Sequence, residues 1–319
     1  MNQYNQYMAK TQLTISVIIP TYNRAQLIVE AIDSILAQTR IPDEIIVIDD
    51  GSTDNTREVL RRFGALVRVI PVENRGPSAA RNLGLEASTG DLIAFLDDDD
   101  TLTPESIELR AEFLEQHQSF DVVYGDIRIT DLLGNEMWRH SQRSGTDNSE
   151  SAFAALTKWN IMPIHAFMFR RSCFSKVQGF DTDLRVLEDH QFWLRMSLHF
   201  KFHYLDHVMG DYRYHEDQVT TKKHREMCET QIAVRSEFIQ TPEFQALHPA
   251  QRAVAFATQG TQCFQIGRTG EARSWYHRAI REHPVYLRPY ILFLLTPLGQ
   301  RGFEAMLALS QKFRAVRLR

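Results

Sequence analysis

Four short apolar runs, separated by helix-like segments, dominate the first hundred residues. The runs cover residues 15–19, 44–48, 66–70 and 92–96. The helix-like segments cover about 23–37, 53–63 and 78–87. Near-continuous apolar strands that alternate with helices are typical of parallel sheets, because such sheets are covered on both faces. We therefore expect an α/β fold with a mostly parallel sheet and helices on both of its faces.

Polar segments follow three of these strands at the points where the strands end. The segments are TYN at 21–23, DDGSTD at 49–54 and DDDD at 97–100. Ligands of such folds bind beyond the carboxyl ends of the strands, which lie at one edge of the sheet. The sequence therefore predicts one site built from these segments. Asn23 with Gln26 three residues later also predicts a capping box at the start of the first helix.

The rest of the chain divides into a less regular middle part and a helical end. Residues 122–129 have the pattern of a further strand, whereas 141–150 contain no apolar residue and predict a loop. Beyond about Thr221 the pattern turns helical. Six residues of this part stand at the offsets of a tetratricopeptide repeat: Gly260, Cys263, Ala272, Tyr276, Ala279 and Pro284. A single repeat cannot bury its own face, so we expect a docked helical hairpin at about 253–286 rather than an independent peptide-binding array.

Composition narrows the classes of partner and compartment. The net charge of -4 gives no general attraction for nucleic acid, and we expect no nucleic-acid partner. The three cysteines are far apart, which indicates a reducing compartment without a disulfide framework or a zinc site. Residues 1–12 lack the apolar core of a signal peptide, and no run approaches the ~18 apolar residues of a membrane span. We expect a cytoplasmic protein.

Four consecutive carboxylates follow the fourth strand, at Asp97, Asp98, Asp99 and Asp100. Adjacent carboxylates repel one another unless a cation or protons are present. Carboxylate oxygens are the ligands preferred by hard cations, so the run predicts a site for Mn²⁺ or Mg²⁺. The alternative is a helix N-terminus that favours acidic residues, with the helix starting within residues 101–104.

Longer blocks of the sequence resemble the bacterial family-2 glycosyltransferases. In order, they read SVIIPTYNRAQLIVEAIDSILAQT, EIIVIDDGSTDNT, NRGPSAARNLGL, GDLIAFLDDDD, GFDTDLRVLEDHQFWLR and YRYH. The similarity covers roughly residues 13–220. It implies a GT-A fold with a Rossmann-like sheet over 13–221, divided into a nucleotide-sugar half (about 13–125) and an acceptor half (about 126–221). The helical region would follow at 222–319.

The resemblance implies a metal-dependent, inverting transfer of a sugar from a nucleotide-sugar, most simply a UDP-sugar. The acceptor would be a hydroxyl of a glycan, a lipid-linked molecule or a protein, as in the synthesis of cell wall or polysaccharide. In this family pattern Pro20 and Tyr22 flank the base, and Asp50 accepts a hydrogen bond from its ring N–H. Asp50 could instead, or also, cap the DDGSTD turn.

The same resemblance gives roles to the acidic run and to one arginine. Asp97, Asp98 and Asp99 match the family's DxD motif, with Asp98 facing the ribose or donor sugar and Asp99 binding the metal. Asp97 belongs to the donor-binding set. Arg81 is a candidate donor contact, with a structural salt bridge as the alternative.

Two further segments carry candidate catalytic and metal-binding residues. An inverting transfer needs a general base that removes the proton of the acceptor hydroxyl. By resemblance we expect Asp189 in that role, with Glu188 holding the acceptor or the base in place. A capping pair at a helix start is the alternative. His215, in YRYH, matches a position that contacts metal or phosphate in relatives, although a single histidine is often structural.

Two other functions and one further surface remain open on the sequence alone. Residues 97–101 also fit DxDxT, the motif of haloacid-dehalogenase-like phosphatases, with Asp97 as nucleophile. The chain could also be a non-enzymatic scaffold.

Near the C-terminus, 290–298 are apolar and further apolar residues recur among basic ones: Phe303, Met306, Leu307, Leu309 and Phe313. That stripe predicts either packing on the hairpin or peripheral contact with the inner face of a membrane.

Overall fold

A computed structural model describes residues 12–140, 151–158, 162–215, 218, 224–299 and 301–304. The predicted loop at 141–150 lies outside these residues. The chain divides into two compact units. The described part of the first unit comprises 12–140, 162–182 and 199–214. The described part of the second comprises 151–158, 183–198 and the residues from 215 to 304. The second unit thus includes two segments of the predicted 13–221 domain, in addition to the helical C-terminal region.

The described part of the first unit contains nine β-strands in one sheet. They are β1 (Ile15–Thr21), β2 (Glu44–Asp49), β3 (Arg68–Pro71), β4 (Leu92–Phe95), β5 (Thr101–Leu102), β6 (Val122–Thr130), β7 (Glu136–His140), β8 (Phe167–Arg170) and β9 (Phe202–Arg213). The order is β3-β2-β1-β4-β8-β6-β9-β5, and β7 pairs with β6. The first four strands are parallel, as predicted. Strand β8 runs antiparallel to both β4 and β6, and β9 runs parallel to β6.

Helices cover both faces of the parallel part of the sheet. They are α1 (Leu27–Leu36), α2 (Thr56–Leu60), α3 (Pro77–Ala87) and α4 (Ser106–Gln116), with a 3₁₀ segment at Arg61–Leu66 after α2. Alternate residues of β2 point to opposite faces. Ile45 and Val47 join the core that includes α1 and α4, whereas Ile46 and Ile48 pack with Ala80 of α3. The predicted α/β fold class is confirmed.

The predicted capping box at the start of α1 is wrong. Gln26 precedes the helix, and no side-chain hydrogen bond caps it. Asn23 instead adopts a left-handed backbone conformation with φ of 53°. Its side-chain oxygen accepts hydrogen bonds from the backbone N–H groups of Thr53 (2.7 Å) and Asp54 (3.3 Å). Asn23 therefore connects the loops that follow β1 and β2, which a local sequence pattern cannot show.

The second unit is helical. Its helices are α5 (Ala152–Leu156), α6 (Glu188–Ser197), α7 (His224–Ile239), α8 (Pro242–Ala246), α9 (Pro249–Gln265), α10 (Thr269–Glu282) and α11 (Arg288–Leu295), followed by a 3₁₀ turn at Thr296–Leu298. Helices α9 and α10 pack closely at Gly260, where an added Cβ would lie 2.7 Å from the Tyr276 ring. The hairpin exists, while its assignment as a tetratricopeptide repeat stays a prediction. Among the described residues, no helix is long and apolar enough to cross a membrane.

Candidate active site

Three loops meet at the carboxyl edge of β1, β2 and β4, as the sequence predicts. Thr21, the last residue of β1, links the other two. Its backbone oxygen accepts a hydrogen bond from the N–H of Asp50 (2.9 Å). Its hydroxyl donates to a carboxylate oxygen of Asp98 (2.7 Å). The TYN, DDGSTD and DDDD segments therefore form one cluster, and the linking role of Thr21 within it was not apparent from the sequence.

Tyr22 and Pro20 lie at the start of this cluster. Pro20 belongs to β1 and is half-buried, while the next residue but one, Tyr22, leaves 46% of its surface exposed. An exposed aromatic ring beside a loop edge can stack on the face of a base. Both residues remain predicted base contacts.

Asp50 is buried and holds the loop that leads into α3. Its two carboxylate oxygens accept hydrogen bonds from the backbone N–H groups of Arg75 and Gly76, each at 2.8 Å. Asp49, by contrast, caps the DDGSTD turn by accepting from the N–H of Ser52 (2.9 Å). The interpretation of Asp50 as the cap of that turn is therefore wrong. Gly51, which follows Asp50, has φ of +82°, a conformation that favours glycine.

Each carboxylate of the acidic run has a different neighbour. Asp97 pairs with Arg81 (2.6 Å), Asp98 accepts from Thr21, Arg24 lies 3.8 Å from Asp99, and His165 lies 3.0 Å from Asp100. None of the four caps a helix, because residues 101 and 102 form β5 and α4 begins only at Ser106. The helix-start interpretation of the run is thus wrong. Separate partners explain how four acids are accommodated in one turn.

The electrostatics of the run differ from one acid to the next. Burial, with the adjacent Asp99 carboxylate, raises the pKa of Asp98 to about 8, although the Thr21 hydrogen bond opposes this shift. Burial also raises the pKa of Asp100 to about 6, against the lowering effect of His165. In the metal-free protein the raised pKa favours the protonated form of Asp98 near neutral pH. A bound cation would favour its ionised form.

Arg213 stabilises the acidic run through hydrogen bonds to two of its residues. Its backbone N–H donates to a carboxylate oxygen of Asp100 (3.0 Å). Its guanidinium donates to the backbone oxygen of Asp99 and to the carboxylate of Glu30 on α1. Reasoning from the sequence missed this residue as well as His165. Arg213 lies in the YRYH block, so its position in a family motif could have pointed to it. No motif in the sequence around His165 indicates a role for that residue.

Arg81 lies under the acidic run with its guanidinium almost fully buried. Besides the ion pair with Asp97, the guanidinium lies 5.5 Å from the centre of the Phe180 ring. The structural salt bridge that the sequence left open is therefore present. A donor contact by Arg81 remains a prediction, because a guanidinium has five N–H donors and can serve both.

The acidic pair Glu188 and Asp189 opens helix α6 in the second unit. Leu187, just before it, has φ of 61°, in the left-handed region that a bulky residue rarely occupies. Glu188 is buried, and Asp189 is partly exposed and accepts a hydrogen bond from the N–H of His190 (2.7 Å). Both acids stand in the first turn, where they also complement the helix dipole. Backbone strain of this kind is often found at functional sites.

His190 anchors this first turn inside the second unit. Its Nε2 lies 2.7 Å from the backbone oxygen of Leu156, at the end of α5. Burial lowers the pKa of His190 to about 4, so the ring is neutral at physiological pH. His215, the predicted metal or phosphate contact, is buried in the second unit as well. The roles of Glu188, Asp189 and His215 remain predictions.

The acidic run fits the requirements of a hard cation in part. It brings several carboxylates to one turn, and burial raises the pKa of one of them, Asp98. Mg²⁺ and Mn²⁺ sites of transferases commonly use one or two carboxylates, with phosphate and water completing the shell. Within the described ranges, no group of three or more His, Cys, Asp or Glu could hold a metal ion. Metal binding by the acidic run therefore stays a prediction.

Comparison with known proteins gives several relatives that are named as uncharacterized glycosyltransferases. An uncharacterized glycosyltransferase of Nostoc sp. is 35% identical over 179 residues, which is 53% of this chain and 54% of that protein. One from Rickettsia typhi is 30% identical over 210 residues, 65% of each chain. One from Rickettsia felis is 45% identical over 105 residues, 32% of this chain and 17% of the relative. The chain thus spans between about a sixth and just under two thirds of these relatives' lengths.

Solved structures of two further proteins share the fold. Residues 1–349 of S. aureus TarS, in complex with UDP-GlcNAc, superpose with a TM-score of 0.62 at 20% identity, over 91% of this chain and 88% of that one. The mannosyltransferase PcManGT of Pyrobaculum calidifontis, in complex with GDP-Man and Mn²⁺, gives 0.62 at 19% identity, over 96% and 84%. At these identities the likeness shows the GT-A fold alone.

A family model decides the classification. The model described as glycosyl transferase family 2 matches residues 16–178, more than half of the chain. The match includes β1, β2, β4 and the acidic run, which leaves no support for the haloacid-dehalogenase-like alternative with Asp97 as nucleophile. The protein belongs to glycosyl transferase family 2.

Proposed function

We propose that the protein is a metal-dependent, inverting glycosyltransferase that moves a sugar from a UDP-sugar to an acceptor hydroxyl. The proposal rests mainly on one observation. Thr21 hydrogen-bonds to both the DDDD run and the DDGSTD loop, so the three polar segments meet at one edge of the sheet. In an α/β sheet this edge is where a nucleotide binds. The family membership and the UDP-GlcNAc held by TarS support the choice of donor class.

The donor would lie across the two loops. Pro20 and Tyr22 would flank the base, and Asp50 would accept a hydrogen bond from its ring N–H. Asp50 already accepts two backbone N–H bonds, one on each oxygen. Each carboxylate oxygen has two lone pairs, so a third bond is available. Because the protein holds Asp50 rigidly from one side, its remaining lone pairs are pre-oriented for recognition.

The leaving diphosphate would lie beside the acidic run. Asp99 and His215 would hold Mn²⁺ or Mg²⁺, which when bound supplies positive charge to the departing diphosphate. Asp98 would contact the ribose or the donor sugar. Arg81 would approach the donor while its pair with Asp97 limits its movement. Arg213 keeps the turn in position through its bonds to residues 99 and 100.

The transfer itself would follow a single displacement. The acceptor oxygen forms a bond to the anomeric carbon from the face opposite the diphosphate, while the bond to the diphosphate oxygen breaks. Asp189 would take the hydroxyl proton on a carboxylate oxygen, and Glu188 would orient the acceptor or the base. The partial exposure of Asp189 on the first turn of α6 suits a base that must reach a substrate.

The acceptor would be a glycan, a lipid-linked molecule or a protein, in cell wall or polysaccharide synthesis. We propose a cytoplasmic setting for the reaction. The cysteines support it, because Cys173, Cys228 and Cys263 are all buried and unpaired. Unpaired thiols are typical of reducing compartments.

A donor assay tests the proposal and separates it from a non-enzymatic scaffold. Thermal shift against UDP-sugars and GDP-mannose, with and without Mn²⁺, should reveal the donor, because a ligand of the folded state raises the melting temperature. Release of the nucleotide diphosphate should then be measured. Asp99→Ala should lower turnover by roughly 10²–10³, as loss of a comparable electrostatic group does. Asp33→Ala, an exposed aspartate on α1, is the matched control. Full activity of Asp99→Ala in EDTA would rule the proposal out.

A further inference from the structure

Helix α11 and the turn after it carry an apolar face that is exposed to solvent. Leu287, Ile291, Leu294 and Leu298 are 71%, 51%, 73% and 58% exposed. Their spacing of four, three and four residues places them on one side of a helix. Scattered apolar residues on a surface need no explanation, but a contiguous apolar stripe marks an interaction site.

This exposed face is separate from the face that α11 uses for folding. Leu292 is buried, and Phe293 and Leu295 pack with it against a cluster that includes Cys263, Tyr276 and Phe303. The Phe303 ring lies 5.7 Å from that of Phe264. The helix is therefore already anchored in the second unit. The outer leucines and isoleucine contribute nothing to that cluster, so their apolar character requires another reason.

The charges around the face distinguish between possible partners. Arg288 and Arg301 flank it along the chain. From residue 283 to the end the sequence holds six basic residues and one acid, whereas the whole chain has a net charge of -4. The bases are Arg288, Arg301, Lys312, Arg314, Arg317 and Arg319, and the acid is Glu304. A second copy of the chain meeting this face across a twofold axis would bring like charges together, which is unfavourable.

We propose that the outer face of α11 and of the residues flanking it, formed by Leu287, Ile291, Leu294 and Leu298, docks on a bilayer that contains anionic phospholipid. The apolar side chains would enter the boundary between headgroups and acyl chains, and the arginines would lie among the phosphates. All four residues of this surface lie within the part of the chain that the structure describes. The stripe of Met306, Leu307, Leu309 and Phe313 lies outside them and is not required for the proposal.

Vesicle binding tests this surface without any donor, so its result is independent of the proposed sugar transfer. The full chain is co-sedimented with phosphatidylcholine vesicles and with vesicles that also contain phosphatidylglycerol. We expect binding to the anionic vesicles, weakened by added salt because the charges are then screened. The double variant Ile291→Ser/Leu294→Ser should bind at least about tenfold more weakly, since it removes two inserted apolar side chains.

The matched control is Leu133→Ser, at a leucine that is 87% exposed on the turn between β6 and β7 of the first unit. It should bind like the unchanged protein, and all three should have the same melting temperature because the altered residues are exposed. The proposal would be overturned if the unchanged chain did not bind anionic vesicles. It would also be overturned if Leu133→Ser weakened vesicle binding as much as the double variant does. So would a dimer in sedimentation equilibrium that the double variant abolishes, because a second copy would then be the partner.

Discussion

The protonated state of Asp98 gives a pH dependence of stability that can be measured in the metal-free protein. The pKa of Asp98 is raised from 3.8 to about 8 by burial and by Asp99. Between these values the folded protein holds a proton that the unfolded chain releases. The free energy of unfolding therefore falls as the pH rises between these two values. We expect Asp98→Asn to remove this loss, because asparagine does not ionise yet can still accept the hydrogen bond from Thr21.

The size of the effect follows from the two pKa values. Between pH 6 and 8 the unfolded carboxyl stays fully ionised, while the folded one goes from almost fully protonated to half ionised. With 1.36 kcal/mol per pKa unit, this difference lowers the free energy of unfolding by about 2 kcal/mol over that interval. Groups far from the acidic run titrate equally in the two proteins, so the difference between them reports on Asp98 together with the adjacent Asp97 and Asp99, whose charges act on it.

Urea unfolding in EDTA at pH 6, 7 and 8 is the assay, with the unchanged protein and Asp98→Asn in parallel. The control is Asp91→Asn, because the pKa of Asp91 is lowered by hydrogen bonds from Thr14 and its titration lies below this range. That control should keep the pH dependence of the unchanged protein. If Asp98→Asn keeps it too, Asp98 is ionised at neutral pH and our account of the acidic run is wrong.

Two further substitutions test the catalytic assignment and the packing of the second unit. Asp189→Asn should lower turnover by roughly 10²–10⁴, the usual loss without a general base, and should leave donor affinity in a binding titration unchanged; a collapse of affinity with intact turnover would make Asp189 a binding residue. Gly260→Ala should lower the free energy of unfolding by about 1–3 kcal/mol, because the new Cβ would lie 2.7 Å from the Tyr276 ring. Gly270→Ala in α10, with no atom within 4 Å of its Cβ, should be neutral or slightly stabilising by urea unfolding, and equal losses in both would contradict the packing argument.

The sequence predicted those features that depend on local pattern. The strands β1 to β4 and the meeting of three polar loops followed from apolar runs and from the geometry of parallel sheets. Contacts between distant residues could not be predicted in this way. Asn23 looks like a helix cap locally, yet it bonds to residues 53 and 54. His165 reaches Asp100 across 65 residues, and only the antiparallel insertion of β8 beside β4 brings its segment there.

For the proposed metal-dependent transfer, the separate partners of the four acids have a consequence for the order of binding. Asp97 and Asp99 face the arginines Arg81 and Arg24, and the raised pKa of Asp98 favours its protonated form near neutral pH. The turn therefore presents little uncompensated negative charge to a free cation. A cation that arrives already chelated by a nucleotide diphosphate brings its own ligands and needs few from the protein. Initial rates should then follow the concentration of the metal–nucleotide complex, so the kinetically relevant substrate would be that complex and not the two components in turn.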